Sequence, residues 1–254
     1  MNENNPILIA RDLSKSFPNG SGDLVAVEKV SLDLKMQEFL CIVGPSGCGK
    51  TTLLKLLAGL LAPTRGQVLF EGQQLTRPRK RMGFVFQEAN LMPWRTVRDN
   101  VALPLELQGY SVEEIQARSQ ALIDLVGLDT FENNFPRDLS GGMAQRVAIA
   151  RALVHQPDIL LLDEPFGSLD ALTRERMGSE LMRIWSAQKV TVVMVTHSIS
   201  EAVLLSDRII VLSPRPGRVR LDAPNSLPRP RALSMTYTEA FGDLASKVRE
   251  AIPE

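Results

Sequence analysis

The chain has little cysteine, no surplus of charge of either sign and no long apolar run. Its two cysteines, Cys41 and Cys48, are too few for a disulfide framework and predict two thiols in a reducing cytosol. Basic and acidic residues are equal at 29 each, so the basic excess of a general nucleic-acid binder is lacking, although a local basic patch stays open. No apolar stretch approaches the roughly 20 residues that cross a bilayer, and residues 1–6 do not resemble a signal peptide. These absences favour a globular cytosolic protein.

The order of strand and helix signals predicts an α/β fold. Short apolar runs with turn signals over residues 7–39 predict an N-terminal antiparallel β subdomain. An apolar run at residues 40–43 stops at a glycine, and leucines at helical spacing follow over residues 52–60. Later strands alternate with helices, which indicates a mostly parallel core sheet. The strands are expected at 67–71, 82–86, 159–162, 190–195 and 208–212, and the helices at 145–154, 174–187 and 200–205.

A helical stretch interrupts this alternation. We expect an inserted α-helical subdomain at about residues 90–137, including an amphipathic helix over residues 113–126 that closes at Gly127. Composition shifts to Pro and Arg from residue 213 onward, which predicts a short tail over 213–254 with a closing helix at 238–252. Residues 1–254 are expected to form one domain.

The strongest motif is a glycine-rich loop between the strand and helix just named. Gly44-Pro45-Ser46-Gly47-Cys48-Gly49-Lys50-Thr51 matches G-x-x-x-x-G-K-[ST], and we assign these residues and Thr52 to nucleotide binding. The glycines let backbone N–H groups face phosphate oxygens, Lys50 places a cation on the β- and γ-phosphates, and the Thr51 hydroxyl can bind Mg²⁺. Because Cys48 lies inside the loop, a thiol reagent is expected to block ATP binding.

An acidic pair follows a second buried strand. Residues 159–162 are apolar and end at Asp163 and Glu164. The strand would deliver Asp163 to its carboxyl edge, where the carboxylate can hold Mg²⁺, usually through water. Glu164 could orient and deprotonate a water for attack on the γ-phosphate. An acidic turn without catalytic role is common, but the phosphate loop favours the catalytic interpretation.

A second glycine-rich segment precedes the helix expected at 145–154. Ser140, Gly141 and Gly142 stand at that helix start, within Leu139-Ser140-Gly141-Gly142-Met143. Ser140 is a good N-cap residue, and simple capping is the commoner explanation of Ser-Gly-Gly at this place. The alternative is a second anion cradle, since helix-start N–H groups favour negative charge. This segment has no lysine of its own, so it would be half of a site.

The order of these motifs resembles the nucleotide-binding subunit of ATP-binding-cassette (ABC) transporters, over about residues 7–212. The resemblance implies a P-loop NTPase core and makes residues 139–143 the signature loop, which binds the γ-phosphate of ATP held by another subunit. The family usually has glutamine where this chain has Met143. The second cradle therefore predicts a dimer.

The resemblance assigns four further residues. Gln87 would sense Mg²⁺ and the attacking water, and His197 would contact the γ-phosphate. Asp170, in Ser168-Leu169-Asp170, would cross to the partner subunit, and Phe17 would stack on adenine. The expected catalytic residues are thus Glu164, His197, Gln87 and Lys50, and the expected metal ligands are Thr51, Gln87 and Asp163.

Two stretches keep alternatives open. Residues 91–97, with Met92 and Trp94, could pack in the core or form a groove for a helix of a membrane partner, which the resemblance favours. Residues 77–81 form a basic cluster that could be a solvated turn or contact anionic headgroups or nucleic acid. Residues 91–94 and 213–218 look most like the nitrate, sulfonate and taurine importer branch.

The resemblance implies the ATPase subunit of an importer. Two such subunits, expected to be identical, would bind ATP and Mg²⁺ between them and move a separate multi-span permease, which a periplasmic solute-binding protein supplies with solute. No nucleic acid is expected as partner. The chain would lie at the cytoplasmic face of a bacterial inner membrane. The alternatives are an ABC-type ATPase acting on DNA or ribosomes, a detached exporter ATPase, and a P-loop GTPase or kinase; the last lacks the expected Asn-Lys-x-Asp motif.

Overall fold

The computed structural model describes residues 5–20 and 22–252. Residues 1–4, on which the absence of a signal peptide partly rested, lie outside the described residues. In chain order the elements are β1 (Leu8–Asn19), β2 (Gly22–Leu34), β3 (Phe39–Val43), α1 (Lys50–Leu57), β4 (Arg65–Phe70), β5 (Gln73–Gln74), β6 (Met82–Val85), α2 (Val97–Gln108), α3 (Val112–Leu125), α4 (Gly141–Leu153), β7 (Ile159–Asp163), α5 (Ala171–Gln188), β8 (Thr191–Thr196), α6 (Ile199–Leu205), β9 (Arg208–Leu212), β10 (Val219–Pro224) and α7 (Glu239–Ala251). The chain divides into two compact units: the first runs to Arg79 and resumes at Thr191, and the second is Lys80–Val190.

The first unit contains the antiparallel sheet expected at the N-terminus. Its strands lie in the order β2-β1-β4-β5, and β1 pairs antiparallel with both β2 and β4. The β1–β2 hairpin closes at the pair Asn19 and Gly22, where the sequence places its turn signals. The sheet buries alternate side chains such as Leu8, Ala10 and Leu34, which is the pattern of a half-buried sheet.

The first unit also contains parallel strands at the centre of a second sheet. β3 lies between β8 and β9 and runs parallel to both. Every residue of β3 and of β8 is buried, which explains why both read as continuous apolar runs. β10 pairs antiparallel with β9, and α7 packs against α6, β9 and β10. β10 lies in the segment expected to be a tail, and the sequence analysis missed it because residues 219–224 alternate weakly and end at a proline.

The second unit contains the strands β6 and β7, which pair in parallel, and the helices α2 to α5. α2 packs against α3 and α4. The side chains of Thr96, Ser111, Ser140 and Asp170 cap the N-termini of α2, α3, α4 and α5, each accepting a backbone N–H of the first turn. α4 and α5 begin three or four residues earlier than the periodicity indicated, because glycines and polar residues in the first turns hide the helical pattern.

Candidate functional site

The glycine-rich loop leaves β3 and enters α1 through residues with left-handed backbone. Gly47 has φ +74° and Gly49 has φ +103°, and a Cβ on Gly49 would lie 2.6 Å from the carbonyl oxygen of Ala26. A Cβ on Gly44 would lie 2.8 Å from Cys48 Sγ and 3.0 Å from Leu212 O. Both the backbone conformation and the contacts with neighbouring strands therefore require glycine in this loop.

The N-terminus of α1 is suited to an anion. Within the described part of the chain no side chain caps it, and its first turn contains no acidic residue. The N–H groups of a helix start carry partial positive charge. Here the residue before the helix is Gly49, which has no side chain to shield these N–H groups from an anion. Thr51 and Thr52 are half-buried in the first turn. This geometry fits the phosphate-binding role expected of residues 44–52.

Lys50 is buried and holds the loop from inside. Its ammonium group donates to Gly44 O at 3.0 Å and to Pro45 O at 3.2 Å. A buried cation beside a helix N-terminus makes the loop electropositive.

The thiol of Cys48, in the same loop, is fully buried, and this burial does not support the expectation that a thiol reagent reaches it.

His197 lies at the same sheet edge as the start of this loop. Val43 of β3 pairs with Thr196 of β8, so Gly44 and His197 follow paired residues of adjacent parallel strands. The backbone around His197 is held on both sides: Thr196 Oγ1 donates to Glu201 Oε2 at 2.6 Å and accepts from Ser198 N at 3.0 Å. The imidazole is exposed. The structure thus brings together two of the sequence-predicted elements, the phosphate loop and the histidine.

Phe17 lies in β1, in the first unit, with 37% of its surface exposed. The ammonium group of Lys15 stands 5.3 Å from its ring centroid, a cation–π distance. Lys15 also donates to Ala62 O at 2.8 Å. The proposed stacking on adenine stays a prediction.

The acidic pair occupies two different environments in the second unit. Asp163 is buried at the carboxyl end of β7, and Glu164, next along, is half-buried in a left-handed backbone conformation at φ +43°. A non-glycine residue at positive φ is strained, and such strain is concentrated at functional sites.

Gln87 and Glu164 approach each other at Gly167. A Cβ placed on Gly167 would lie 3.6 Å from Glu164 Oε2 and 3.7 Å from Gln87 Nε2. The backbone N–H of Gly167 donates to Glu164 O at 3.0 Å. Two side chains assigned to the attacking water therefore both lie within van der Waals distance of the Cβ position of one glycine.

The segment Ser140 to Gly142 starts α4 and packs against the start of α5. Ser140 Oγ accepts the backbone N–H of Met143 at 3.3 Å, so Ser140 caps α4 as the capping interpretation expected. The anion-binding alternative stays a prediction. A Cβ on Gly142 would lie 3.0 Å from Thr173 Cγ2. Asp170 caps α5 by accepting Thr173 N at 3.0 Å, and hydrogen bonds from the side chain and then the backbone of Thr173 lower the pKa of Asp170 below its ordinary value. The first turn of α4 contains no acidic residue, which leaves it suited to an anion as well.

α4 also supports the loop that contains Gln87, a connection that the sequence analysis missed. Gln145 Nε2 donates to Phe86 O at 3.5 Å, and Arg151 donates to Asn90 O at 2.9 Å and to Ala89 O at 2.7 Å. Burial lowers the pKa of Arg151. No local pattern could have indicated this contact, since about 60 residues separate the partners along the chain.

The segment at residues 91–97 is held rigidly while presenting an aromatic side chain. Asn100 is fully buried; its amide donates to the carbonyls of Met92, Arg95 and Thr96, and its oxygen accepts Met92 N at 2.8 Å. Trp94 is nevertheless 72% exposed, so it does not pack in the core. A fixed backbone beneath an exposed tryptophan is typical of an interaction surface.

Two features are absent from the described residues. None of their helices is long and apolar enough to cross a membrane. Among them, no group of three or more His, Cys, Asp or Glu side chains could hold a metal. Hydroxyl, carboxylate and phosphate oxygens are ligands that Mg²⁺ takes, so Thr51 in the first unit and Asp163 in the second each have a suitable donor atom.

The α/β fold, the phosphate loop and the acidic strand end together define a P-loop nucleotide hydrolase. A family model described as ABC transporter matches residues 27–167, more than half of the chain. The chain belongs to the ABC transporter family. It is an ATP-hydrolysing enzyme coupled to transport, as the sequence predicted.

Relatives and a solved structure agree with this membership. The aliphatic sulfonates import ATP-binding protein SsuB of Bacillus cereus is 43% identical, covering 93% of this chain and 92% of that protein. The taurine import ATP-binding protein TauB of Roseobacter denitrificans is 47% identical (84% and 80% covered), and the nitrate import ATP-binding protein NrtD of Synechocystis sp. is 46% identical (85% and 82%). A structure described as the dimeric post-hydrolysis state of an ATP-binding cassette bound to ADP and Pi matches with a TM-score of 0.77 at 35% identity, covering 87% of this chain and 99% of that one. The predicted fold class and resemblance are confirmed.

Proposed function

We propose that this chain is the ATPase subunit of an importer and works as a dimer on a separate membrane permease. The observation that carries the proposal is the start of α1: a buried parallel strand, glycines at positive φ, an uncapped helix N-terminus among the described residues and a buried lysine together form an ATP-phosphate site. The relatives named as import ATP-binding proteins support the direction of transport.

Each residue is assigned one role in ATP hydrolysis. Lys50 and backbone N–H groups within residues 44–52 bind the β- and γ-phosphates, and His197 donates to the γ-phosphate as negative charge develops. Glu164 accepts a proton from the attacking water, and Gln87 orients that water. The half-buried setting of Glu164 and its approach to Gln87 at Gly167 support this pair.

Mg²⁺ is proposed as the cofactor, held by Thr51, Gln87 and Asp163 together with phosphate oxygens. When bound, it would neutralise charge on the phosphates. Asp163 is buried at the end of a strand, and a buried carboxylate requires a cation or hydrogen-bond donors beside it, which supports a role in metal binding.

Glu164→Gln tests the hydrolytic assignment. The change keeps the size of the side chain and the ability to hydrogen-bond but removes the base, so we expect unchanged ATP affinity and phosphate release slowed by about 10²-fold or more. Fluorescent-nucleotide titration and a phosphate-release assay measure the two quantities. Glu175→Gln, at an exposed position in α5, is the matched control and should hydrolyse ATP at the wild-type rate. Rapid hydrolysis by Glu164→Gln would remove Glu164 from its role.

The dimer is proposed because the segment Ser140 to Gly142 has an anion-binding helix start but no lysine. We expect it to complete the phosphate site of a second copy, with Asp170 crossing between the copies. Ser140→Arg should leave ATP binding by one copy intact and prevent ATP-driven dimerisation of the Glu164→Gln protein, measured by light scattering. Loss of ATP binding in the monomer would show instead that the segment serves its own phosphate loop.

The permease is proposed to dock where Trp94 is exposed. Trp94→Ala should release the chain from a co-purified multi-span membrane protein and leave its ATP affinity unchanged. Tyr237→Ala is the control, because Tyr237 is 92% exposed but lies in the first unit, far along the chain from residues 91–97. Equal release by the two variants would contradict the docking site.

The solute is proposed to be a small anion such as nitrate, a sulfonate or taurine, delivered by a periplasmic binding protein. The chain would then be peripheral at the cytoplasmic face of a bacterial inner membrane. Deleting the chain's gene and measuring uptake of labelled taurine, an alkanesulfonate and nitrate tests this class. We expect uptake of one of them to be lost and restored by the wild-type chain but not by Glu164→Gln. Unchanged uptake with impaired efflux would favour an exporter.

A further inference from the structure

The loop between β9 and β10 is locked by its own hydrogen bonds. This loop, residues 213–218, is called the brace below. Ser213 N donates to Arg218 O at 2.9 Å, and Arg218 N donates to Ser213 Oγ at 3.0 Å. The single proton of the same hydroxyl is shared between Pro216 O at 2.8 Å and Pro214 O at 2.9 Å. Two prolines and a closed ring of hydrogen bonds make the brace stiff.

The brace lies against the phosphate loop. Arg215 Nε donates to Gly47 O at 3.0 Å, although 168 residues separate the two along the chain. Gly217 touches the loop through its backbone, because a Cβ there would lie 2.3 Å from Cys48 O. Two adjacent carbonyls of the phosphate loop therefore contact the brace.

The brace is in turn attached to the antiparallel sheet. Gly217 N donates to Ala26 O at 3.0 Å, and Glu28 N donates to Gly217 O at 3.0 Å. The carbonyl of Ala26 is the same group that lies 2.6 Å from the Cβ position of Gly49. The brace and β2 thus contact the phosphate loop at Gly47, Cys48 and Gly49. Lys50 contacts its first two residues through the carbonyl oxygens of Gly44 and Pro45.

The hydrogen bond from Arg215 to Gly47 O restrains one peptide group of the phosphate loop. A peptide group is planar and trans, so fixing the carbonyl of Gly47 also fixes the N–H of Cys48. That N–H donates to Pro45 O at 3.3 Å, so both ends of this peptide are held. Gly47 is exposed and has φ +74°, a backbone that without the arginine would sample other conformations. A preorganised loop binds its ligand more tightly because less ordering is lost on binding.

We propose that Arg215 is a positioning residue for nucleotide binding, acting through the Gly47 carbonyl to hold the phosphate loop in its binding conformation. This inference rests on the proposed ATP site at residues 44–52. It adds to that site a residue 168 positions away along the chain, in a segment to which the sequence assigned no part in nucleotide binding.

The test compares Arg215→Met with Arg218→Met in the full-length chain. Arg218 belongs to the same brace and is exposed, but among the described residues its side chain pairs with Glu28, at 2.6 Å, and makes no hydrogen bond with the phosphate loop. We expect Arg215→Met to raise the dissociation constant for a fluorescent ATP analogue and the KM for ATP about three- to tenfold, the range of one hydrogen bond, with kcat within about twofold. Arg218→Met should leave both constants within about twofold. Arg215→Lys, which keeps a cationic donor, should recover part of the affinity.

Three outcomes separate the possibilities. Equal affinities for the Met variants at 215 and 218 would overturn the proposal. A loss of affinity in both, together with a lower thermal midpoint, would show that the brace merely stabilises the fold, and this too would overturn it. Lys50→Met tests the underlying site: if it binds the analogue as wild type does, the proposed ATP site itself is wrong, whatever Arg215 does.

Discussion

Val43 and Thr196 are paired residues of adjacent parallel strands, so the phosphate loop and His197 leave the sheet side by side. The pairing follows from β3 lying next to β8, two strands separated by nearly 150 residues of sequence. Thr196 extends the arrangement beyond the sheet, because its hydroxyl binds Glu201 and accepts Ser198 N. The position of the histidine is thus determined by a strand and a helix start together.

His197→Ala should slow ATP hydrolysis by about 10²-fold or more and change ATP affinity little, because one donor to a developing charge is lost. Thr196→Val should give a smaller loss of kcat, since His197 is kept while its backbone supports are removed. Phosphate release and nucleotide titration separate the two effects. A Thr196→Val enzyme with wild-type kcat would show that these hydrogen bonds do not position His197.

Gly49→Ala should abolish ATP binding and destabilise the fold. The left-handed backbone costs about 1–3 kcal/mol for a residue with a Cβ, and the contact at 2.6 Å with Ala26 O adds to it. Gly72→Ala is the matched control, because Gly72 also has positive φ (+75°) but no atom within 4 Å of its Cβ position. Its cost should be about 1 kcal/mol with ATP affinity unchanged. Equal free energies of unfolding for the two variants would contradict the steric argument.

Arg151→Met should lower kcat roughly tenfold without weakening ATP binding, since the loop that carries Gln87 loses two carbonyl contacts to α4. The free energy of unfolding should fall by about 1–3 kcal/mol. Arg118→Met serves as control, because its ion pair with Glu114 lies on the surface of α3. If the free energy of unfolding of Arg151→Met falls while its kcat is unchanged, Arg151 stabilises the fold and does not position the loop of Gln87.

Both thiols should react slowly with a disulfide reagent in the native protein and rapidly in guanidinium chloride, because both side chains are fully buried. Burial raises the pKa of Cys41, so the folded protein holds this thiol protonated and a moderate increase in pH should not speed its modification. Cys41→Ser isolates Cys48. Rapid native labelling of that variant, with protection by ATP, would show that the phosphate loop opens readily.

Much of the site could be predicted from sequence because its chemistry is carried by contiguous residues. The phosphate loop needs glycines at fixed spacing before a lysine and a threonine, and the acidic pair needs only the end of an apolar strand. The strand β10 could not be predicted, since its pairing with β9 depends on a partner and its own alternation is weak. The Trp94 segment could not be assigned because a sequence does not distinguish an exposed tryptophan from a buried one; in the structure Trp94 is 72% exposed, on a backbone held by buried Asn100.

The sequence by itself determined the glycine-rich loop, the acidic strand end, the capped glycine-rich start of α4 and the order of strands and helices around them. These features depend on local backbone preference and on the period of apolar residues, which neighbouring residues specify. Only the tertiary structure decided that Gly44 and His197 share one sheet edge, that Arg151 holds the loop of Gln87 and that Arg215 holds Gly47. Those contacts join residues about 60 to 170 positions apart, and their geometry exists only after the parallel strands have paired and the chain has packed around them.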